Sequence, residues 1–171
     1  IDWFVGRFDD LELDRVTNQM LERTGTIVAG ARVFNALASY WPTSASHGVA
    51  YAEKMNTLPK LVFSRGSSSV SWGDWDNASL ATGTVAEETT RLRAASDSDI
   101  VIFGGPGLIA DFTRGGLIDV YRLQVCPVAL GAGQPFFANV AGYQWLRLLS
   151  VRAFSSGVTE LRYAPAASRR P

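Results

Sequence analysis

Asp99-Ile100-Val101-Ile102-Phe103-Gly104-Gly105-Pro106-Gly107 decides how the rest of the chain is read. Four consecutive apolar residues without polar alternation describe a strand covered on both faces, as parallel strands usually are. The run stops at two glycines, and Pro106 suits the first turn of a helix, where a missing N–H costs nothing. That helix is expected to end at Gly115-Gly116. Upstream, Thr84-Val85-Ala86-Glu87 is a capping box that predicts a helix from Thr84 to about Ala95. Lys60-Leu61-Val62-Phe63-Ser64, entered from Pro59, reads as a second strand. Thr26 to Ala29, ended by Gly30, reads as a third. Residues 9–23 predict a helix, with Asp9 capping toward Glu12 and an apolar stripe of Leu13, Val16 and Met20. A further helix is expected over 32–40, stopping at Trp41-Pro42 because the residue before proline avoids the α region. Residues 43–58 read as a mobile loop and 65–78 as an irregular stretch. Downstream, 117–128, 143–154 and 158–163 are β-rich, and Ser155-Ser156-Gly157 predicts a hairpin.

Strands alternating with helices, then a β-rich end, predict a single α/β domain over residues 1–171: three layers, α/β/α, with a mostly parallel sheet and an antiparallel C-terminal hairpin. The composition agrees. The 171 residues are 47% hydrophobic and 19% charged, and mean hydropathy is near zero. A chain of this length buries roughly 70% of its unfolded surface, enough for a core without staples. Sixteen basic and sixteen acidic residues cancel, so no net field favours nucleic acid or an anionic membrane. One cysteine, Cys126, and one histidine, His47, exclude an internal disulfide and argue against a Cys- or His-rich metal centre. No run approaches the ~18 apolar residues of a membrane span. A cytoplasmic domain is the expectation.

Two places offer chemistry. A buried strand that ends in Gly104-Gly105 and enters a helix at Pro106-Gly107 presents unblocked N–H groups at a positive helix end, a phosphate site. The same text also fits a tight strand-to-helix turn with no ligand. Ser64-Arg65, followed by Gly66-Ser67-Ser68-Ser69, puts hydroxyls and one guanidinium at another strand's end, where a terminal phosphate or plain solvent is met. Both places lie at the same edge of one parallel sheet, and open α/β sheets bind ligands at that edge.

Lys60-Leu61-Val62-Phe63-Ser64-Arg65, Phe103-Gly104-Gly105, Leu117-Ile118-Asp119 and Pro127-Val128-Ala129-Leu130-Gly131-Ala132-Gly133 with Phe136-Phe137 stand in an order and spacing that resemble a known family. It is the dihydrofolate-reductase-like family that includes the C-terminal reductase domain of the riboflavin-biosynthesis protein RibD. Ile1-Asp2-Trp3-Phe4 and Tyr40-Trp41-Pro42 fit its stand-alone bacterial branch. The resemblance implies an NADPH-dependent reductase. Gly104, Gly105, Pro106 and Gly107 would approach the pyrophosphate, Ser64 and Arg65 the adenosine 2′-phosphate, and the C-terminal strands would pair in a homodimer. The acceptor would be a small heterocycle, either pterin-like or like the 5-amino-6-(5-phosphoribosylamino)uracil of the riboflavin pathway. The sequence contains no deaminase domain with its zinc ligands, so a stand-alone reductase rather than the bifunctional enzyme is the expectation.

The chain departs from the family in three places. Where relatives carry Gly-Arg-x-Thr, it reads Gly30-Ala31-Arg32-Val33, so Arg32 is one position out of register and the hydroxyl is lost. Relatives begin with a central strand that would precede Ile1, so a first strand is expected upstream. The usual Asp-Glu pair is reduced to Asp119-Val120. The altered motif supports a second expectation, a non-catalytic dimeric nucleotide-binding protein. Asp14, sixteen residues before Gly30, resembles the helix carboxylate that binds substrate in dihydrofolate reductases, and it also reads as a solvated helix residue. Cys126 reads as a packed thiol and His47 as a solvated loop residue. Trp72 and Trp75 would stack on adenine or pin their loop, and Tyr143 and Trp145 read as core or dimer interface.

Overall fold

The computed structural model describes residues 10–140 and 142–166, so Ile1-Asp2-Trp3-Phe4 and the expected cap Asp9 lie outside it. Asp10 caps helix α1 (Leu11–Glu22), its Oδ1 accepting from the amides of Glu12 at 3.0 Å and Leu13 at 3.1 Å. Strand β1 (Thr24–Gly30) follows, then α2 (Ala31–Ala38), which ends two residues earlier than its sequence suggests. The stretch 43–58 is not a plain loop: a 3-10 turn at Ser44–Ser46 leads to a short helix, α3 (Ala52–Thr57). Met55 drives that outcome, because it alone buries α3 against Leu21 and Ile27. Next come β2 (Lys60–Phe63) and β3 (Ala78–Leu80), the latter too short to show a period in the sequence. Helix α4 (Val85–Ala95) starts at the expected capping box on Thr84. Then follow β4 (Asp99–Phe103), α5 (Pro106–Arg114), β5 (Tyr121–Val125), β6 (Leu146–Ala153) and β7 (Thr159–Pro165).

The strands form two sheets. The first is parallel, in the order β3-β2-β1-β4, and the second is antiparallel, in the order β5-β7-β6. The period of two along a strand sorts the first sheet's side chains into two helix layers. On one face Ile27 meets Leu21 of α1 and Met55 of α3, while Ala29 and Val62 meet Phe34 of α2 and Trp72. On the other, Val28 and Leu61 meet Phe112 of α5, with Leu92 of α4 beside them. This is the expected three-layer α/β/α arrangement.

The same helices reach the second sheet. Leu13 of α1 packs on Phe154 and Val158, and Thr113 of α5 hydrogen-bonds Tyr121 of β5 at 2.9 Å. Asp10 fastens the junction, since its Oδ2 accepts from Ser155 Oγ at 2.7 Å and the Ser156 amide at 2.8 Å. The Ser156 N–H, the Ser155 hydroxyl and the Leu13 amide hold its carboxyl well below the usual carboxylate range. Among the described residues no ladder joins β4 to β5, so each is an edge strand of its sheet.

Candidate functional site

Register places the predicted binding residues on one edge. Gly30 lies beside Phe63, and Ala29 lies beside Phe103. The junctions Gly30-Ala31, Phe63-Ser64-Arg65 and Phe103-Gly104-Gly105 therefore leave the parallel sheet together, at the carboxyl ends of three adjacent strands.

Helices α2 and α5 both begin at this edge, with Gly30 and Gly105 as N-caps and no side chain capping either. First-turn amides have no partner inside a helix, so two sets of N–H groups are available at two positive helix ends. The two junctions touch. A Cβ added at Gly105 would sit 3.8 Å from Val33 Cγ2, and one added at Gly30 would sit 3.9 Å from Leu108. Gly107 has nothing within 4 Å of a built Cβ, so its surface is open to a ligand. At Gly104 an added Cβ would come within 2.9 Å of Ile109 Cδ1, so a side chain there would have to displace the end of Ile109.

Arg32 occupies the second position of α2 and Arg65 follows β2. Both are exposed, and neither forms an ion pair among the described residues. A cation in the first turn of a helix opposes the dipole, and a bound anion relieves that conflict. Ser64 Oγ accepts from the amides of Gly66 at 3.3 Å and Ser67 at 3.0 Å, which shapes the turn and leaves the hydroxyl proton to donate.

Asp14 lies in the first turn of α1. It is half-buried on α1, and it faces Tyr51, whose hydroxyl is pushed up to about 12 by burial first and then by the charge of Asp14 and by Tyr40. Off the end of β3, a cleft of about 360 Å³ is lined by Thr82, Gly83, Glu87, Glu88 and Arg91. Glu88 accepts from the Thr82 and Gly83 amides at 3.0 and 3.1 Å and from Arg91 Nη2 at 2.7 Å. Burial alone would raise its carboxyl, but Arg91 and the two amides outweigh that and hold it low. Two carboxylates against one guanidinium make this cleft a poor phosphate site.

The remaining candidates divide. Trp72 is fully buried and pins its loop, while Trp75 is exposed. Tyr143 and Trp145 are exposed, which removes the core reading and leaves the interface reading. Cys126 packs beside Leu13 and Val158, and burial pushes its thiol up, as expected of a packed, unreactive group. His47 is exposed. Asp119 precedes β5 and pairs with Arg93 at 2.8 Å. Sequence reasoning missed Asp10, Glu88 and Lys60. Asp10 was the most accessible of the three, since it directly precedes the apolar period of α1.

Comparison with known proteins places the chain. The family model described as the RibD C-terminal domain matches residues 3–159. YyaP of Bacillus subtilis, an uncharacterized protein, is 28% identical over 165 residues, which is 95% of this chain and 83% of that protein. A putative riboflavin biosynthesis protein of Shewanella sp. PV-4 superposes with a TM-score of 0.77 at 21% identity, covering 98% of this chain and 88% of that one. A pyrimidine reductase-like protein of Corynebacterium diphtheriae superposes with a TM-score of 0.67 at 16% identity, covering 98% and 86%. With its sheets, glycine junctions and motif order all in place, the chain belongs to the RibD C-terminal domain family.

Proposed function

We propose that this chain is an NADPH-dependent reductase that delivers hydride to a small nitrogen heterocycle, of the 5-amino-6-(5-phosphoribosylamino)uracil type or pterin-like. The observation that carries the reading is the meeting of three strand ends, two uncapped helix N-termini and two unpaired arginines on one edge. The α5 amides beside Gly105, Pro106 and Gly107 would hold the pyrophosphate, with Gly104 approaching it from the end of β4. Ser64 and Arg65 would hold the 2′-phosphate, with Arg32 as a second cation near the same anion. When bound, NADPH supplies the hydride. Asp14 is the candidate proton relay for the acceptor, a half-buried carboxylate whose charge helps keep the Tyr51 hydroxyl protonated. Relatives described as riboflavin biosynthesis and pyrimidine reductase-like proteins favour the pyrimidine over the pterin.

Three further elements belong to this reading. The reductase works as a cytoplasmic homodimer that pairs through the exposed face of β6 and its neighbours, where Leu148, Val151 and Trp145 have no cover. A strand preceding Ile1 would occupy the space between the unpaired edges of β4 and β5, under helices that already span both sheets. Mixing the protein with NADPH and each acceptor, and following nicotinamide absorbance, tests the activity. Oxidation that needs the acceptor supports the reading, and a protein that binds NADPH but turns over neither acceptor counts against it.

One observation favours a second reading, a dimeric nucleotide-binding protein without turnover. The side chain nearest Gly105 from α2 is the methyl of Val33, where relatives carry a hydroxyl. Ala31→Arg with Val33→Thr is expected to tighten NADPH binding at an eroded site, and no change would show that this edge does not hold the cofactor.

A further inference from the structure

Only Arg23 separates α1 from β1, and Leu21 of α1 packs on Ile27 of β1, so the helix runs antiparallel to the strand. Asp14 lies seven residues before Leu21 on the same side of the helix, about 10 Å away at ~1.5 Å per residue. Ile27 to Gly30 is three residues along the strand, also about 10 Å at ~3.3 Å each. Asp14 is therefore level with the carboxyl edge of the sheet, on the face that α1 shares with α3.

Aromatic rings stand on that face. Tyr51 is the N-cap residue of α3, and its ring centroid lies 5.2 Å from that of Trp41, which Tyr40 meets edge-on at 5.1 Å. Trp41 and Tyr51 pack against Leu21, Ile27 and Met55, as does Phe103, the last residue of β4 before Gly104. The Trp41 carbonyl accepts from Ser46 Oγ at 2.7 Å and from Asn56 Nδ2 at 2.9 Å, which fixes the ring that backs Tyr51. Asn56 is held in turn, its Oδ1 accepting from the Trp72 indole N–H and its carbonyl from buried Lys60 Nζ, both at 2.8 Å.

Asp14, Tyr40 and Tyr51 are each half-buried and come from three different segments. Burial, then the Asp14 charge and Tyr40, push the Tyr51 hydroxyl up to about 12, so below that pH it is a donor beside a carboxylate acceptor. A donor and an acceptor side by side, backed by aromatic rings, match the edge of a flat ring that carries C=O next to N–H. Both acceptor types named above present that edge. We propose that Tyr51 is a binding residue that sets specificity for the acceptor, its hydroxyl donating to a ring carbonyl while Asp14 accepts from the adjoining ring N–H. The proposal rests on the reductase reading above for the reaction but not for the contact itself.

The test is calorimetric and uses the full chain, unsubstituted and as Tyr51→Phe, which keeps the ring on Trp41 and removes only the donor. Two rings of similar shape are titrated: 5,6-diaminouracil, which carries carbonyls beside N–H, and tetraaminopyrimidine, which carries none. The Asp14 contribution is common to both proteins, so the ratio of the two affinities isolates Tyr51. That ratio is expected to favour diaminouracil in the unsubstituted protein and to fall about tenfold in Tyr51→Phe, the worth of one hydrogen bond. An unchanged ratio overturns the contact even where NADPH is oxidised, and so does an unsubstituted protein that binds neither ring. Ring binding that depends on Tyr51, in a protein that oxidises no NADPH with either acceptor, supports the contact and overturns the reductase reading.

Discussion

The two sheets of this molecule hide their side chains to opposite degrees. In the parallel sheet, Val28, Leu61 and Val62 are almost wholly covered, because helices lie on both faces. In the antiparallel sheet, β6 leaves Leu148 and Val151 half exposed or more, because α1 packs beside Phe154 and Val158 and leaves β6 itself uncovered. The difference teaches where to look for function in each. A doubly covered sheet has no free face, so its chemistry is confined to strand ends, where glycines and helix N-termini meet solvent. A singly covered apolar sheet has a free face, which suits another protein surface better than a small ligand.

Substitutions sharpen this contrast. Phe112→Ala, in the core beneath β1 and β2, is expected to cost about 3–5 kcal/mol in chemical denaturation. A loss under ~1 kcal/mol would mean that α5 does not pack there as described. Next in size is the latch between the halves. Asp10→Asn should lower Tm at neutral pH and flatten the acid limb of the stability curve. The sign follows from a folded pKa held below the unfolded one: the stabilisation is present above about pH 4 and is lost as pH falls further. An unchanged acid limb would remove Asp10 from that role. Thr84→Ala breaks the α4 capping box and should cost about 1 kcal/mol. Smallest is Leu148→Ser on the free face of β6, expected to change subunit stability by no more than about 0.5 kcal/mol. The same substitution should raise the dimer dissociation constant in sedimentation, and equal dissociation with serine would break the dimer proposal.

Legibility in the sequence followed the same division. The doubly covered strands were readable, since Ile100 to Phe103 and Leu61 to Phe63 are apolar without interruption, as parallel strands usually are. The capping box at Thr84 and the proline at the start of α5 set their helix ends correctly because cap chemistry is local. Helix α3 was hidden because residues 43–58 are small and polar, and a single buried Met55 outweighs that composition. β3 was hidden because three residues carry no period. The proposed binding edge was legible as glycines and a Ser-Arg pair. Its register was not, because nothing local tells Gly30 that it will lie beside Phe63. Asp10 and Lys60 escaped notice for a related reason: their partners Ser155 and Trp72 come from other segments.

The central claim is that the carboxyl edge of the parallel sheet holds NADPH. It is tested most directly by titrating the protein with NADPH and with NADH, before and after Arg65→Ala. The account predicts saturable NADPH binding, weaker NADH binding, and a loss of about ten- to a hundredfold for NADPH alone in the variant, the worth of a charged hydrogen bond to phosphate. A folded protein that binds neither nucleotide, or that loses both equally on Arg65→Ala, would contradict it.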